Sequence, residues 1–152
     1  MLLAELTDPE LIFTDIAGSD SDAVLREFAE RLAAAGRVRK PELLFQRLRE
    51  RESLGSTALG HGVAVPHCRL QGLSEVLLAI GLSRRGVDFA AEDGEPVRAF
   101  FVVVSPNNAA VEHLHCLAAI SKWVKNGRLG RMMELDEPEE IYRLIDSAAG
   151  DD

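Results

Sequence analysis

Two near-continuous apolar runs, Glu75 to Leu82 (EVLLAIGL) and Val97 to Val104 (VRAFFVVV), stand out in a chain whose remaining apolar positions recur mostly at helical spacing. Runs of that length with little polar alternation suit strands covered on both faces. Glu92, Asp93, Gly94 and Glu95 between them carry a turn signal, so the two strands are predicted to be antiparallel neighbours. Shorter strands are predicted at Ile12 to Ile16 and Val63 to Val65.

The helices fall before, between and after these strands. The first is predicted to be capped by Ser19, Asp20 or Ser21 and closed by Gly36, with Leu25, Phe28, Leu32 and Ala35 on its apolar side. Pro41 fits the first turn of the second, where Leu44, Phe45 and Leu48 form one face and Arg47, Arg49, Glu50 and Arg51 lie elsewhere. After Pro106, Asn107 or Asn108 is predicted to cap a long helix to Lys125, stopped by Asn126 and Gly127. At ~100° per residue its core stripe reads Leu114, Leu117, Ala118, Ser121 and Val124, with His113 on the flank and His115 nearly opposite. A last helix follows Pro138 and turns Ile141, Leu144 and Ile145 inward. This order implies an α/β fold, a three-layer α/β/α sandwich around a mixed sheet of roughly five strands.

Length and composition narrow the picture. The 152 residues, 47% hydrophobic and 28% charged, fit one domain over residues 1–146 with a small acidic tail, 147–152, expected to fray. No apolar run reaches the ~18 residues of a membrane span, and a secretory signal is lacking, so a cytoplasmic protein without direct membrane insertion is expected. The formal charge of −8 argues against a nucleic-acid surface and favours a basic protein partner. Positive charge gathers at Arg37, Arg39, Lys40, Arg47, Arg49, Arg51 and Arg69, and most of these read as a solvated helix face. Cys68 and Cys116 have no CxxC spacing and are expected to be two reduced thiols.

The candidate chemistry lies in Arg51 to Arg69, RESLGSTALGHGVAVPHCR. His67 is placed at a strand end on a loop stiffened by Pro66. Neutral imidazole is a competent nucleophile near pH 7. Arg51 can supply a charge-assisted fork to an anion, Ser56 and Thr57 hydroxyl donors, and Gly60, His61 and Gly62 a loop whose backbone N–H groups approach closely. A lone histidine at a strand end is ordinarily a hydrogen-bonded structural residue, so the weight rests on the ordered combination. That combination suits a phosphoryl acceptor which must stabilise equatorial oxygens without binding its product too tightly, and it requires neither metal nor cofactor.

RESLGST followed by GHGVAVPH resembles the active-site segment of the enzyme IIA domains of the bacterial phosphoenolpyruvate-dependent phosphotransferase system, of the fructose, mannitol and nitrogen-regulatory type. The resemblance runs from about Leu3 to Ile145 and takes in GVDFAAEDGEPV (Gly86 to Val97) and the EHL triplet (Glu112 to Leu114). It implies that His67 takes a phosphoryl group through its ε nitrogen from the histidine phosphocarrier protein, that Arg51 contacts that group, that Thr57 supplies a nearby hydroxyl, and that His113 is the second histidine of the pocket. The chain departs from the family pattern at His61, where the family is polar and variable, at Cys68, where a small residue is usual, and at Ala58 in place of the more frequent Gly. His61 can alter the charge and pH response of the pocket, and Cys68 can make it oxidation-sensitive.

No stretch reads as a IIB or a membrane IIC segment, which leaves two versions of the implied function. One is a nitrogen-regulatory protein whose phosphorylation state sets which target it binds. The other is a stand-alone sugar-specific IIA passing the group to a IIB partner. A metal-binding module built from His61, His67, Cys68, His113, His115 and Cys116 is a competing class. Residues at i and i+2 of a helix point ~200° apart, so only His113 and Cys116 among the helical three share a side. A non-catalytic interaction module that has kept the fold is the third class, and the intact Arg51, Thr57, His67 and His113 set argues against it.

Overall fold

A computed structural model describes residues 2–147. The two apolar runs form the centre of the fold: β5 (Leu77–Val87) and β6 (Val97–Ser105) pair antiparallel, with Leu78 opposite Val103 and Ile80 opposite Phe101. Along β6 the side chains alternate between two separate cores. Phe100, Val102 and Val104 join one apolar cluster, while Ala99, Phe101 and Val103 join the other. Burial on both faces is why the run shows no polar alternation.

On the first face lie α1 (Ser21–Ala34) and α2 (Pro41–Ser53). Asp20 caps α1, its carboxylate accepting from the Ala23 N–H at 2.8 Å, and Leu25, Phe28 and Leu32 reach the sheet as predicted. Pro41 opens α2, and Leu44, Phe45 and Leu48 are its buried side. The second face is covered by α3 (Ala110–Lys125), the short α4 (Leu129–Met133) and α5 (Pro138–Ser147), with Ile120, Trp123, Met132, Ile141 and Ile145 in its core. The three-layer α/β/α sandwich is therefore present.

Among the described residues the sheet has six strands rather than the roughly five expected. β1 (Ile12–Phe13) pairs parallel with β5 and is shorter than the predicted Ile12 to Ile16, though the Ile16 N–H still bonds the Leu82 carbonyl at 2.9 Å. On the other side of β6 lie β3 (Val63–Ala64) and β4 (His67–Arg69), both parallel to it, and β2 (Ala58–Gly60) pairs antiparallel with β3. Such two- and three-residue strands have too little sequence to show a period. β3 and β4 are one strand broken at Pro66, which has no N–H to give the ladder; its carbonyl accepts from the Val103 N–H at 3.0 Å.

Two helix predictions need correction. The N-terminus of α3 lies at Ala109 with no side-chain cap, because Pro106, Asn107 and Asn108 form a turn closed by the Ala109 N–H on the Pro106 carbonyl at 3.1 Å. The buried stripe of α3 is His113, Cys116, Ile120 and Trp123, rotated from the predicted one, and Leu114 is exposed. Four aliphatic residues dominated the sequence stripe, yet the sheet edge beneath α3 demands the histidine side. His115 is exposed, as its predicted orientation required. Ser147 ends α5, and the rest of the tail expected to fray lies outside the described residues.

Candidate functional site

The register of β4 decides where its side chains go. His67 stands opposite Val103 of β6 and Cys68 opposite Val104. Cys68 enters the core beneath α1 and α2, so His67 and Arg69 emerge on the alternate side. The C-terminal turn of α2 arrives from one layer and the first turns of α3 from the other. Between them is a cleft of about 440 Å³ lined by Arg47, Glu50, Arg51, Leu54, His67, Cys68, Arg69, Asn107 and His113.

His67 has a defined tautomer. Its Nδ1 lies 2.8 Å from the Val65 carbonyl, an acceptor only, so Nδ1 carries the proton and Nε2 the lone pair. The break at Pro66 turns this carbonyl toward the ring. Burial, together with the Arg51 charge, pulls the His67 pKa below 6.5 against the opposing pull of the Val65 bond and Glu52. The ring is thus neutral at pH 7 with an available nitrogen. His113 faces it, ring centroids 5.4 Å apart and planes tilted by 57°. Its pKa is pushed down to about 4 by burial and by the positive charges possible at His67 and Arg69.

Arg51, in the last turn of α2, donates from Nη1 to the Gly55 carbonyl at 2.8 Å. This bond to its own helix end holds the guanidinium at the cleft and leaves its other N–H groups available. Arg47 and Arg69 line the same cleft, and Glu50 is its single carboxylate, 3.4 Å from Arg47. Three guanidinium groups against one carboxylate, around two neutral imidazoles, make a site for a dianion. Leu54 at the rim is 84% exposed.

The glycine and hydroxyl loop sits behind this cleft rather than in its wall. Ser56 donates its hydroxyl to the Phe89 carbonyl. Thr57, 6% exposed, gives its N–H and its hydroxyl to the two carboxylate oxygens of Glu52, at 2.7 and 2.8 Å. Gly60 and Gly62 have φ of 89° and 80°, and His61 between them has φ 58°. The His61 N–H donates to Asp93 at 3.0 Å, and the Gly62 carbonyl accepts from the Arg98 and Ala99 N–H groups. None of Ser56, Thr57, Gly60, His61 and Gly62 lines the cleft. Arg51, His67 and His113 do meet there.

Glu52, Ser105 and the Val65 carbonyl escaped sequence reasoning. Glu52 adjoins Arg51 in the RES triplet, and a carboxylate five residues before a loop Thr was the available signal. Ser105 closes an otherwise apolar run before Pro106, and a hydroxyl so placed needs a partner. Among the described residues no group of three or more His, Cys, Asp and Glu can hold a metal ion. Likewise no helix among them is long and apolar enough to cross a membrane.

Comparison with known proteins follows the same lines. The family described as "Phosphoenolpyruvate-dependent sugar phosphotransferase system, EIIA 2" matches residues 5–148. The chain is 30% identical over 146 residues, 95% of each sequence, to the "Nitrogen regulatory protein" of Bradyrhizobium diazoefficiens. It is 26% identical over 146 residues to the "PTS system fructose-specific EIIABC component" of Bacillus subtilis, covering 95% of this chain and 23% of that one. Nitrogen regulatory protein IIA-Ntr from Neisseria meningitidis has the same fold with a TM-score of 0.86 at 29% identity, over 95% of this chain and 99% of that one.

Proposed function

The chain belongs to the EIIA 2 family of the phosphoenolpyruvate-dependent sugar phosphotransferase system, and on that premise we propose that His67 is its phosphoryl acceptor. The observation carrying this reading is the bond from His67 Nδ1 to the Val65 carbonyl, which leaves Nε2 as the free nucleophile inside a cleft of arginines. The donor is a phosphohistidine on the phosphocarrier protein. The Nε2 lone pair attacks phosphorus, an N–P bond forms there, the donor's N–P bond breaks, and its electron pair returns to the donor imidazole. The acceptor ring gains positive character, which the Val65 carbonyl stabilises. Arg51 stabilises the equatorial oxygens, and the loss of one such contact slows transfer by roughly 10²–10³.

Ser56, Thr57 and His61 act here by holding the loop, since their donors are engaged elsewhere, and Gly60 and Gly62 by giving it its positive-φ turns. The exposed Leu54 beside basic side chains suits docking of a protein rather than a free metabolite. The nitrogen-regulatory names of close relatives over the whole chain favour the regulatory role, with the phosphorylation state selecting the target. The fructose-specific relative supports the second reading, transfer onward to a IIB partner.

The test is incubation with phosphoenolpyruvate, enzyme I and the phosphocarrier protein. An acid-labile, base-stable phosphate absent from His67→Ala is expected, and wild-type protein left unmodified by cognate partners defeats the proposal. Arg51→Ala is expected to keep its far-ultraviolet spectrum while transfer slows as above. Onward transfer to a IIB component, or target binding that differs between the two phosphorylation states, separates the two roles.

A further inference from the structure

Ser105 is the last residue of β6 and is 0% exposed, a position where a hydroxyl is costly unless bonded. Its backbone carbonyl accepts from the Leu70 N–H at 2.8 Å, which fixes the residue between β4 and β6. Its Oγ lies 2.6 Å from Nδ1 of His113, itself 6% exposed. Oγ has no other hydrogen-bond partner among the described residues.

That solitary contact decides the direction of the bond. A serine hydroxyl has one hydrogen to give, and a neutral imidazole has one N–H and one lone pair. Were Nδ1–H to donate to Oγ, the hydroxyl hydrogen would be left buried without an acceptor, a desolvation penalty that no other contact offsets. Donation from Oγ to Nδ1 satisfies both groups and places the ring proton on Nε2.

We infer that Ser105 is a positioning residue for phosphoryl transfer, its hydroxyl fixing His113 as the Nε2–H tautomer so that a neutral ring donates a hydrogen bond to a phosphoryl oxygen on His67. This rests on the reading of His67 as acceptor. The alternative tautomer would turn a lone pair toward the oxygens and repel them. Burial keeps His113 uncharged near neutral pH, so the donor comes from the tautomer and not from an imidazolium. A neutral donor stabilises the transferring group without the grip of a full charge, which suits a carrier that must also release it.

The experiment is long-range ¹⁵N–¹H NMR of the histidine rings together with single-turnover phosphorylation by the phosphocarrier protein, on wild type, Ser105→Ala and Ser105→Thr. Wild type is expected to show a pyridine-type Nδ1 and a pyrrole-type Nε2 at His113. Ser105→Ala should shift His113 toward the other tautomer and slow transfer roughly 10- to 100-fold, as loss of an orienting partner does elsewhere, and Ser105→Thr should restore both. An Nδ1–H tautomer in wild type that is phosphorylated at His67, or Ser105→Ala kinetics equal to wild type, overturns this inference alone. Wild type that accepts no phosphoryl group defeats the reading of His67 instead. Should the variants fail to fold, the wild-type tautomer decides.

Discussion

Replacing His113 by Gln should flatten the acid limb of the stability curve. An imidazole titrating near 6.5 in the unfolded chain is held at about 4 in the fold by burial, His67 and Arg69. Between those values the unfolded chain binds the proton and the folded chain does not, so this residue favours unfolding increasingly as pH falls. Its effect is absent above about pH 7, is about 2 kcal/mol at pH 5 and about 3 kcal/mol at pH 4, and stops growing below that. Gln cannot take the proton, yet its amide oxygen can still accept from Ser105. Urea unfolding from pH 7 to pH 4 measures the difference. The single tryptophan, Trp123, lies on the same face of α3 edge-on to Phe101 at 5.7 Å and reports the transition by fluorescence. Carboxylate protonation affects wild type and variant alike, so the quantity of interest is the gap between their pH slopes. Curves that stay parallel within 1 kcal/mol or so would refute the reasoning, because the ring would then not be held neutral by its surroundings.

Glu52→Ala removes the acceptor of both the Thr57 N–H and its hydroxyl and should cost about 1–3 kcal/mol per group left buried without a partner; an unchanged urea midpoint would show that water takes over both. Gly81→Ala would drive a methyl against the Phe28 ring and within 2.7 Å of Ile16 Cγ1, so a loss of at least 1–3 kcal/mol is expected in thermal melts, and an unaltered melting temperature would contradict the tight seam between α1 and β5. Cys68 and Cys116 are buried thiols pushed up to about 12, so both should resist a disulfide reagent at pH 8 until the protein is unfolded; prompt labelling of the native protein would restore the expected oxidation sensitivity of Cys68.

Strong local signals survived folding. The apolar runs of β5 and β6 showed their double burial, and the proline and apolar face of α2 placed Arg51. Other features depended on contacts distant in sequence. β2 and β4 are too short for a period, and β4 exists only because β6 offers a parallel edge. The face of α3 was misjudged because Leu114 outweighs His113 on any hydrophobic scale, whereas the buried ring has Ser105 as a partner from another element. The hydroxyls of Ser56 and Thr57 looked like donors to a ligand, and only the fold reveals Phe89 and Glu52 as their acceptors. His67, the proposed acceptor, was legible because its loop is written contiguously, and its supporting groups were not.

The bond from the Tyr142 hydroxyl to the Ala4 carbonyl, 3.0 Å long, brings the beginning of the described chain against α5 near its end. This junction lies beside β1, and β5 and β6 stand between it and β4, which carries His67. Entry and exit of the described chain therefore share one flank remote from the His67 ring, so the fold can be spliced into a longer polypeptide as a cassette, or circularly permuted through a short linker, while the cleft stays open.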